Sequence, residues 1–122
     1  MPDIEGLKAA AQAAIDRRRD WLIGIAKAIL VAPEPGFQEV KTSQFVSEKL
    51  DELGILHQRG IAMTGVKAHL RGARPGPTVA VIGEMDALRV PQHAHADPET
   101  GAAHACGHHC QIGMMLGAAV GL

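Results

Sequence analysis

The sequence predicts an α/β domain, a mixed three-layer sandwich with the element order α-α-β-β-β-loop-α. Two helical patterns occupy the first half of the chain, and an apolar, β-branched run at residues 78–83 has the composition of a strand buried on both faces. Such strands lie in the middle of sheets that helices cover. In addition, 47% of the 122 residues are hydrophobic, which is enough apolar material for a core.

Helical periodicity dominates the first half. Apolar residues recur at helical spacing over residues 4–31, which predicts one long amphipathic helix with a weak point at Gly24. The segment Pro33-Glu34-Pro35-Gly36 ends this helix, because neither proline can continue the hydrogen-bond ladder. A second helix is predicted over residues 38–53, and Gly54 is placed as its left-handed C-terminal stop.

The second half alternates strand-like and polar segments. The predicted strands are residues 55–58, residues 65–71 and the buried run 78–83. A polar loop over residues 87–105 leads to a final helix over residues 107–122. That helix lacks a stop signal, so the chain is expected to be the first part of a larger domain.

Charge and cysteine content narrow the functional classes. A net charge of −1 gives no electrostatic basis for binding nucleic acid. No apolar stretch approaches the roughly 20 residues that a membrane-spanning helix needs. The two cysteines lie four residues apart and do not make a disulfide framework, so a reducing, cytoplasmic setting is expected.

Metal-capable side chains are concentrated where the polar loop meets the last helix. The segment His104-Ala105-Cys106-Gly107-His108-His109-Cys110 holds five of them in seven residues. Cys106 and His108 are the predicted ligands, because the glycine between them lets the backbone bend until both side chains can reach one ion. Further candidates are His104, His109 and Cys110. The alternative role for Cys106 is that of a small buried residue.

Two carboxylates directly follow the predicted buried strand. Sites in open α/β sheets form outside the carboxyl ends of strands, which is where Glu84 and Asp86 lie. We expect Asp86 to serve catalysis as a carboxylate that orients a metal-bound imidazole, whereas Glu84 alone has the character of an ordinary loop acid. Nucleotide-binding and serine-nucleophile motifs are absent from the sequence. The pattern favours a metal-dependent hydrolase.

Three ordered motifs resemble a large metallopeptidase and amidohydrolase family, that of aminoacylases, carboxypeptidases and hippurate hydrolases. Residues 34–39, with Thr42 nearby, resemble its E-L-G-F-x-E…T segment. Glu84-Met85-Asp86-Ala87-Leu88 resembles its D-M-D-A-L motif. His104-Ala105-Cys106-Gly107-His108 matches the H-A-C-G-H signature of the branch that contains hippurate hydrolases and indole-acetyl-amino-acid hydrolases.

The resemblance implies that residues 1–122 are the N-terminal portion of an α/β/α catalytic domain with two Zn or Mn ions. Members of the family cleave the amide bond of N-acyl or N-aroyl amino acids with a metal-activated water. Cys106 and His108 match metal ligands, and Asp86 matches the carboxylate that supports them. The glutamate general base and a smaller dimerisation domain are expected beyond residue 122. The complete protein is thus expected to be a homodimer that binds a small-molecule substrate, and this portion alone to be inactive.

The sequence departs from the family pattern directly after His108. The family reads H-A-C-G-H-D, but His109 stands in place of the aspartate, and Cys110-Gln111 replaces Gly-His. His109 could replace a ligand or disable the second metal site, which would make the protein a non-catalytic homologue. Another alternative is a small structural-zinc or interaction module held by Cys106 and His108, with Cys110 as a further candidate ligand.

Overall fold

The described part of the chain combines four helices with two small antiparallel sheets. The computed structural model describes residues 3–122. The helices are α1 (Ile4–Arg17), α2 (Arg19–Leu30), α3 (Val40–Glu52) and α4 (His108–Gly121). The strands are β1 (His57–Ile61), β2 (Gly65–Ala68), β3 (Leu88–Arg89) and β4 (Ala102–Ala103). The predicted mixture of helices and strands is confirmed.

The prediction of one helix over residues 4–31 was wrong, because the helix is interrupted at Arg18. The backbone there has φ −104° and ψ 9°, and the Arg18 N–H donates to the carbonyl of Ile15. Helix α2 begins at the next residue, and the predicted weak point, Gly24, lies inside it. A one-residue interruption leaves the apolar periodicity in phase, so the sequence pattern does not reveal it.

Helix α3 confirms the prediction over residues 38–53. Gly54 follows it with φ 69°, the left-handed conformation that glycine adopts without steric cost. The N–H of Gly54 donates to Asp51, and the N–H of Ile55 donates to Leu50. These two bonds satisfy carbonyls at the end of the helix in a Schellman motif.

Strands β1 and β2 form an antiparallel hairpin that packs against α3. The predicted strand at residues 55–58 is shifted, since pairing begins at His57 and extends to Ile61. The register shifts between Arg59 and Ile61, where Gly60 has φ 76°. The second strand is shorter than predicted and ends at Ala68.

The prediction of a buried strand at residues 78–83 was wrong for this chain. Residues 78–83 form no strand and pair with no other part of the described residues. Val79 and Ile82 are 82% and 83% exposed. A strand requires neighbours that accept and donate its backbone hydrogen bonds, and residues 3–122 supply none beside this segment. The two sheets are therefore separate two-stranded ladders instead of one mixed sheet.

The core lies between three helices. Its buried members are Leu22, Ile25 and Ile29 of α2, Val46 and Leu50 of α3, and Ile112 and Leu116 of α4. The short β3–β4 pair joins the two ends of the predicted polar loop. The predicted final helix is confirmed as α4. None of the described helices is both long enough and apolar enough to cross a membrane.

Candidate metal centre

The segment at residues 83–87 lies against the first turns of α4. A Cβ on Gly83 would approach Ile112 Cδ1 to 3.2 Å and the backbone of Gln111 to 3.5 Å, so glycine permits the close contact. The following residues, Glu84 and Asp86, thereby reach the N-terminal turn of α4, which begins at His108. The two motifs that the sequence separates by 20 residues meet at one place.

His108 contacts both carboxylates with different nitrogens. Its Nδ1 lies 2.8 Å from the carbonyl oxygen of Asp86 and 3.0 Å from Oδ1 of the same residue. Its Nε2 lies 3.1 Å from Oε2 of Glu84. The His108 side chain is 12% exposed, whereas the Glu84 side chain is 60% exposed. The imidazole is therefore held at one nitrogen by a partly buried residue and presents the other nitrogen toward solvent-accessible oxygen.

The contacts of His108 define which of its ring nitrogens is available to a metal ion. A carbonyl oxygen only accepts hydrogen bonds, so Nδ1 donates to Asp86 and carries the ring hydrogen. In the neutral ring, Nε2 then presents a lone pair to the carboxylate of Glu84. Two acceptors 3.1 Å apart repel each other unless a cation lies between them. A metal ion bound to both atoms would remove this repulsion.

The donor set fits a divalent metal ion. One ligand atom from each of Glu84, Asp86 and His108 lies within 4.8 Å of the others. Atoms that bind one Zn ion at its usual bond lengths are about 2.9–3.4 Å apart, and the separation of His108 Nε2 from Glu84 Oε2 falls in this range. Asp86 on Nδ1 fixes the tautomer that leaves Nε2 free to bind, as carboxylates commonly do behind ligating histidines.

Two further residues hold the carboxylates in place. The Gln111 side chain accepts a hydrogen bond from the Glu84 N–H at 2.9 Å and donates to Glu84 Oε2 at 3.3 Å. On the other side, the Glu34 carbonyl accepts from the Ala87 N–H at 2.9 Å. The Glu34 carboxylate also caps α3, since it accepts from the N–H groups of Lys41 and Thr42 and from the Thr42 hydroxyl.

The structure places the remaining predicted ligands around this group. Cys106 is exposed and lies just before α4, and it is not among the three clustered residues; its role as a ligand stays a prediction. His109 is also outside the cluster, and its Nε2 lies 3.4 Å from the Cys110 sulfur. Burial, followed by the charges of His108 and His93, lowers the pKa of His109.

His104 is buried next to His109. It is 3% exposed, and neither ring nitrogen has a hydrogen-bond partner within the described residues. Its ring centroid is 5.5 Å from that of His109. Burial, with smaller contributions from His109 and His108, lowers the pKa of His104 to about 4. The imidazole is therefore neutral at neutral pH.

The sequence did not predict the contacts by which Glu84, Gln111 and Glu34 contribute to the site. For Gln111 a signal existed, since it lies three residues after His108 and shares its helix face. Glu84 is separated from Asp86 by one residue, which in an extended strand puts the two on the same side. Glu34 acts through its main chain and its helix cap; the motif at residues 34–39 with Thr42 contains both partners of the cap but does not reveal their contact.

Comparison with known proteins finds relatives that are named as hydrolases of amino-acid conjugates, carboxypeptidases and amidohydrolases. No family model matches the chain. The chain is 39% identical over 103 residues to IAA-amino acid hydrolase ILR1-like 5 of Arabidopsis thaliana. It is 38% identical over 104 residues to thermostable carboxypeptidase 1 of Saccharolobus solfataricus, and 37% identical over 108 residues to an N-acyl-L-amino acid amidohydrolase of Geobacillus stearothermophilus.

These matches cover most of this chain but a small part of each relative. They include 82%, 82% and 86% of this chain, and 23%, 26% and 29% of the respective relatives. The chain thus spans about a quarter of the length of the curated relatives it matches. The predicted resemblance is confirmed: the chain is related to amino-acid amidohydrolases and carboxypeptidases.

Proposed function

We propose that the complete protein is a metal-dependent amidohydrolase that cleaves the amide bond of N-acyl or N-aroyl amino acids. The single observation that supports this most is His108, with Nδ1 bonded to Asp86 and Nε2 directed at a carboxylate. This arrangement is that of a metal-binding imidazole with its orienting carboxylate. The names of the related proteins, which are amidohydrolases and carboxypeptidases, supply the reaction class.

Residues 1–122 would be the N-terminal portion of a three-layer α/β/α catalytic domain. The exposed apolar segment at residues 78–82 supports this proposal, because it has the composition of a sheet strand and no partner among the described residues. Further active-site segments, including a glutamate general base, and a smaller dimerisation domain would belong to other parts of the protein. The portion alone would then be inactive, and the complete protein a homodimer.

The proposed cofactor is a pair of Zn or Mn ions, with Cys106 and His108 as ligands. Such ions supply Lewis-acid polarisation of the amide carbonyl and activation of water. Asp86 keeps the ring proton of His108 on Nδ1. His104 is buried and neutral at neutral pH, so it adds no positive charge that would repel the ion. The exposed thiols Cys106 and Cys110 are in keeping with a reducing, cytoplasmic setting.

The test is hydrolysis of N-acyl amino acids, such as hippurate, by the complete protein, together with elemental analysis. We expect bound Zn or Mn, activity that a chelator removes, and activity restored by adding the metal back. His108→Ala should abolish metal binding and activity, whereas His69→Ala, at an exposed position after β2, should leave both unchanged. Full activity in metal-free protein would overturn the proposal.

The structural-zinc alternative receives less support from the geometry. A structural zinc is enclosed by four ligands, commonly cysteines and histidines. The group found among the described residues is instead one histidine with two carboxylates, one of them largely exposed. Unfolding of the metal-free protein would favour the structural role, whereas a folded but inactive metal-free protein supports the catalytic one.

A further inference from the structure

Glu84 is held by both its main chain and its side chain. Its N–H donates to Gln111 Oε1 at 2.9 Å, and its Oε2 accepts from Gln111 Nε2 at 3.3 Å. A carboxamide is suited to this task because it offers an acceptor and a donor from one planar group. The same Oε2 atom lies 3.1 Å from His108 Nε2. Both contacts of this oxygen are therefore with residues of α4.

The two carboxylates beside His108 have unequal positions. Asp86 is engaged through its carbonyl oxygen and Oδ1 at Nδ1, the nitrogen that carries the hydrogen. Glu84 instead faces Nε2, the nitrogen with the free lone pair. An ion bound to Nε2 would thus meet the Glu84 oxygen first, and Asp86 would act through the imidazole.

We propose that Glu84 is a metal ligand of this protein and that Gln111 is the residue that positions it. This inference rests on the proposed function, because it takes a divalent ion at His108 as given. Gln111 stands three residues after His108, so the ligand and the positioning residue come from the same helix face. A carboxylate with an imidazole suits Mn as well as Zn.

The experiment is a double-mutant cycle on Mn²⁺ affinity in the metal-free form of the complete protein. Glu84→Gln should weaken binding at least about 10-fold, and Gln111→Leu about 10-fold, as is usual for residues that orient ligands. In the Glu84→Gln background, Gln111→Leu should have little further effect on Mn²⁺ affinity, because the charged ligand that Gln111 positions is already lost. A merely structural role of Gln111 would reduce affinity equally in both backgrounds, and that result would overturn the inference.

Gln44→Leu is the matched control. Gln44 donates to Glu48 at 3.0 Å on α3, so this variant removes a similar glutamine–glutamate bond on another helix. Its Mn²⁺ affinity should equal that of the wild type. If Gln111→Leu fails to fold, Gln111→Met provides the same loss of both hydrogen bonds with a flexible side chain of similar length.

Hydrogen exchange in the metal-free protein tests the contact of Gln111 with Glu84, and metal binding by variants separates the two proposals. Hydrogen exchange at the Glu84 N–H should be slowed in the wild type and faster in Gln111→Leu, since that variant removes the acceptor. Absence of any His108-dependent metal binding would overturn the proposed function and, with it, the ligand role of Glu84. Binding that depends on His108 but is unchanged in Glu84→Gln would overturn only the present inference.

Discussion

His104 is a buried titratable group whose stability effect can be measured directly. Its pKa is lowered from 6.5 to about 4 in the folded chain, chiefly by burial. Below pH 6.5 the unfolded chain therefore binds a proton that the folded chain excludes, and stability falls as the pH decreases toward 4. From about pH 7.5 to pH 5, His104 should remove about 2 kcal/mol from the free energy of unfolding.

The test compares urea unfolding of the wild type and His104→Leu with a chelator present. The variant should be more stable, because it removes two buried nitrogens that lack partners, and its advantage should grow as the pH is lowered. An equal pH dependence in both proteins would contradict the prediction.

Glu34 should matter for stability, because its carboxylate caps α3. Glu34→Ala removes the acceptor for the Thr42 hydroxyl and for two N–H groups at the start of α3. We expect a loss of about 1–3 kcal/mol in the free energy of unfolding. Glu48→Ala, at an exposed position of the same helix, should change it by less than about 0.5 kcal/mol. Thermal unfolding of the two variants provides the measurement.

The sequence predicts those site residues that residue type and spacing along the chain identify, and no others. Asp86 and His108 were chosen for their side chains and their neighbours, and the structure brings them together. The choice of Glu84 over other acids depends on a contact with Gln111, 27 residues away. Such a contact depends on how distant segments pack together, and no periodic pattern in the sequence indicates it.

Gly107 joins the polar loop to α4, and its backbone conformation determines how this helix begins. Its φ is 81°, and a Cβ added there would meet nothing within 4 Å, so any cost of substitution is conformational. Gly107→Ala should destabilise the chain by about 1–2 kcal/mol. Gly107→Asn should cost less, because asparagine enters this region more readily. Chemical unfolding of both variants distinguishes this from a steric effect, for which asparagine would be worse.

Elements whose signals are local were predicted well, and those that depend on distant partners were not. The end of α3 at Gly54 and the start of α4 near Gly107 are specified by residues at the boundary itself. The segment at residues 78–83 has the composition of a strand. Composition indicates that a segment can form a strand, but not whether a neighbouring strand is present to pair with it. The interruption at Arg18 was not predicted for another reason, since a single turn residue between α1 and α2 does not disturb the apolar period.

At the scale of the whole molecule, apolar residues fall into two groups that should respond differently to truncation. Val46 is 1% exposed in the three-helix core, whereas Val81 is 56% exposed in the unpaired segment. Val46→Ala should cost about 2 kcal/mol, because it leaves a cavity among packed helices. Val81→Ala should cost less than about 0.5 kcal/mol in this chain. Urea unfolding of the 122-residue chain measures both.

The same substitutions test the proposal of a larger domain. In the complete protein Val81→Ala should become costly, as residues 78–82 gain strand partners and cover. An unchanged small effect there would show that this segment remains at the surface, and would count against the three-layer architecture.

Residues 84–87 are tied at both ends although the run before them is unpaired. Gln111 holds Glu84 from α4, and the Glu34 carbonyl holds Ala87 from the opposite side. The carboxylates are thus ordered by contacts that do not involve a sheet. An ion arriving at His108 would meet carboxylates on a backbone whose conformational entropy was already lost during folding, so its binding would cost less free energy than binding to an unordered segment.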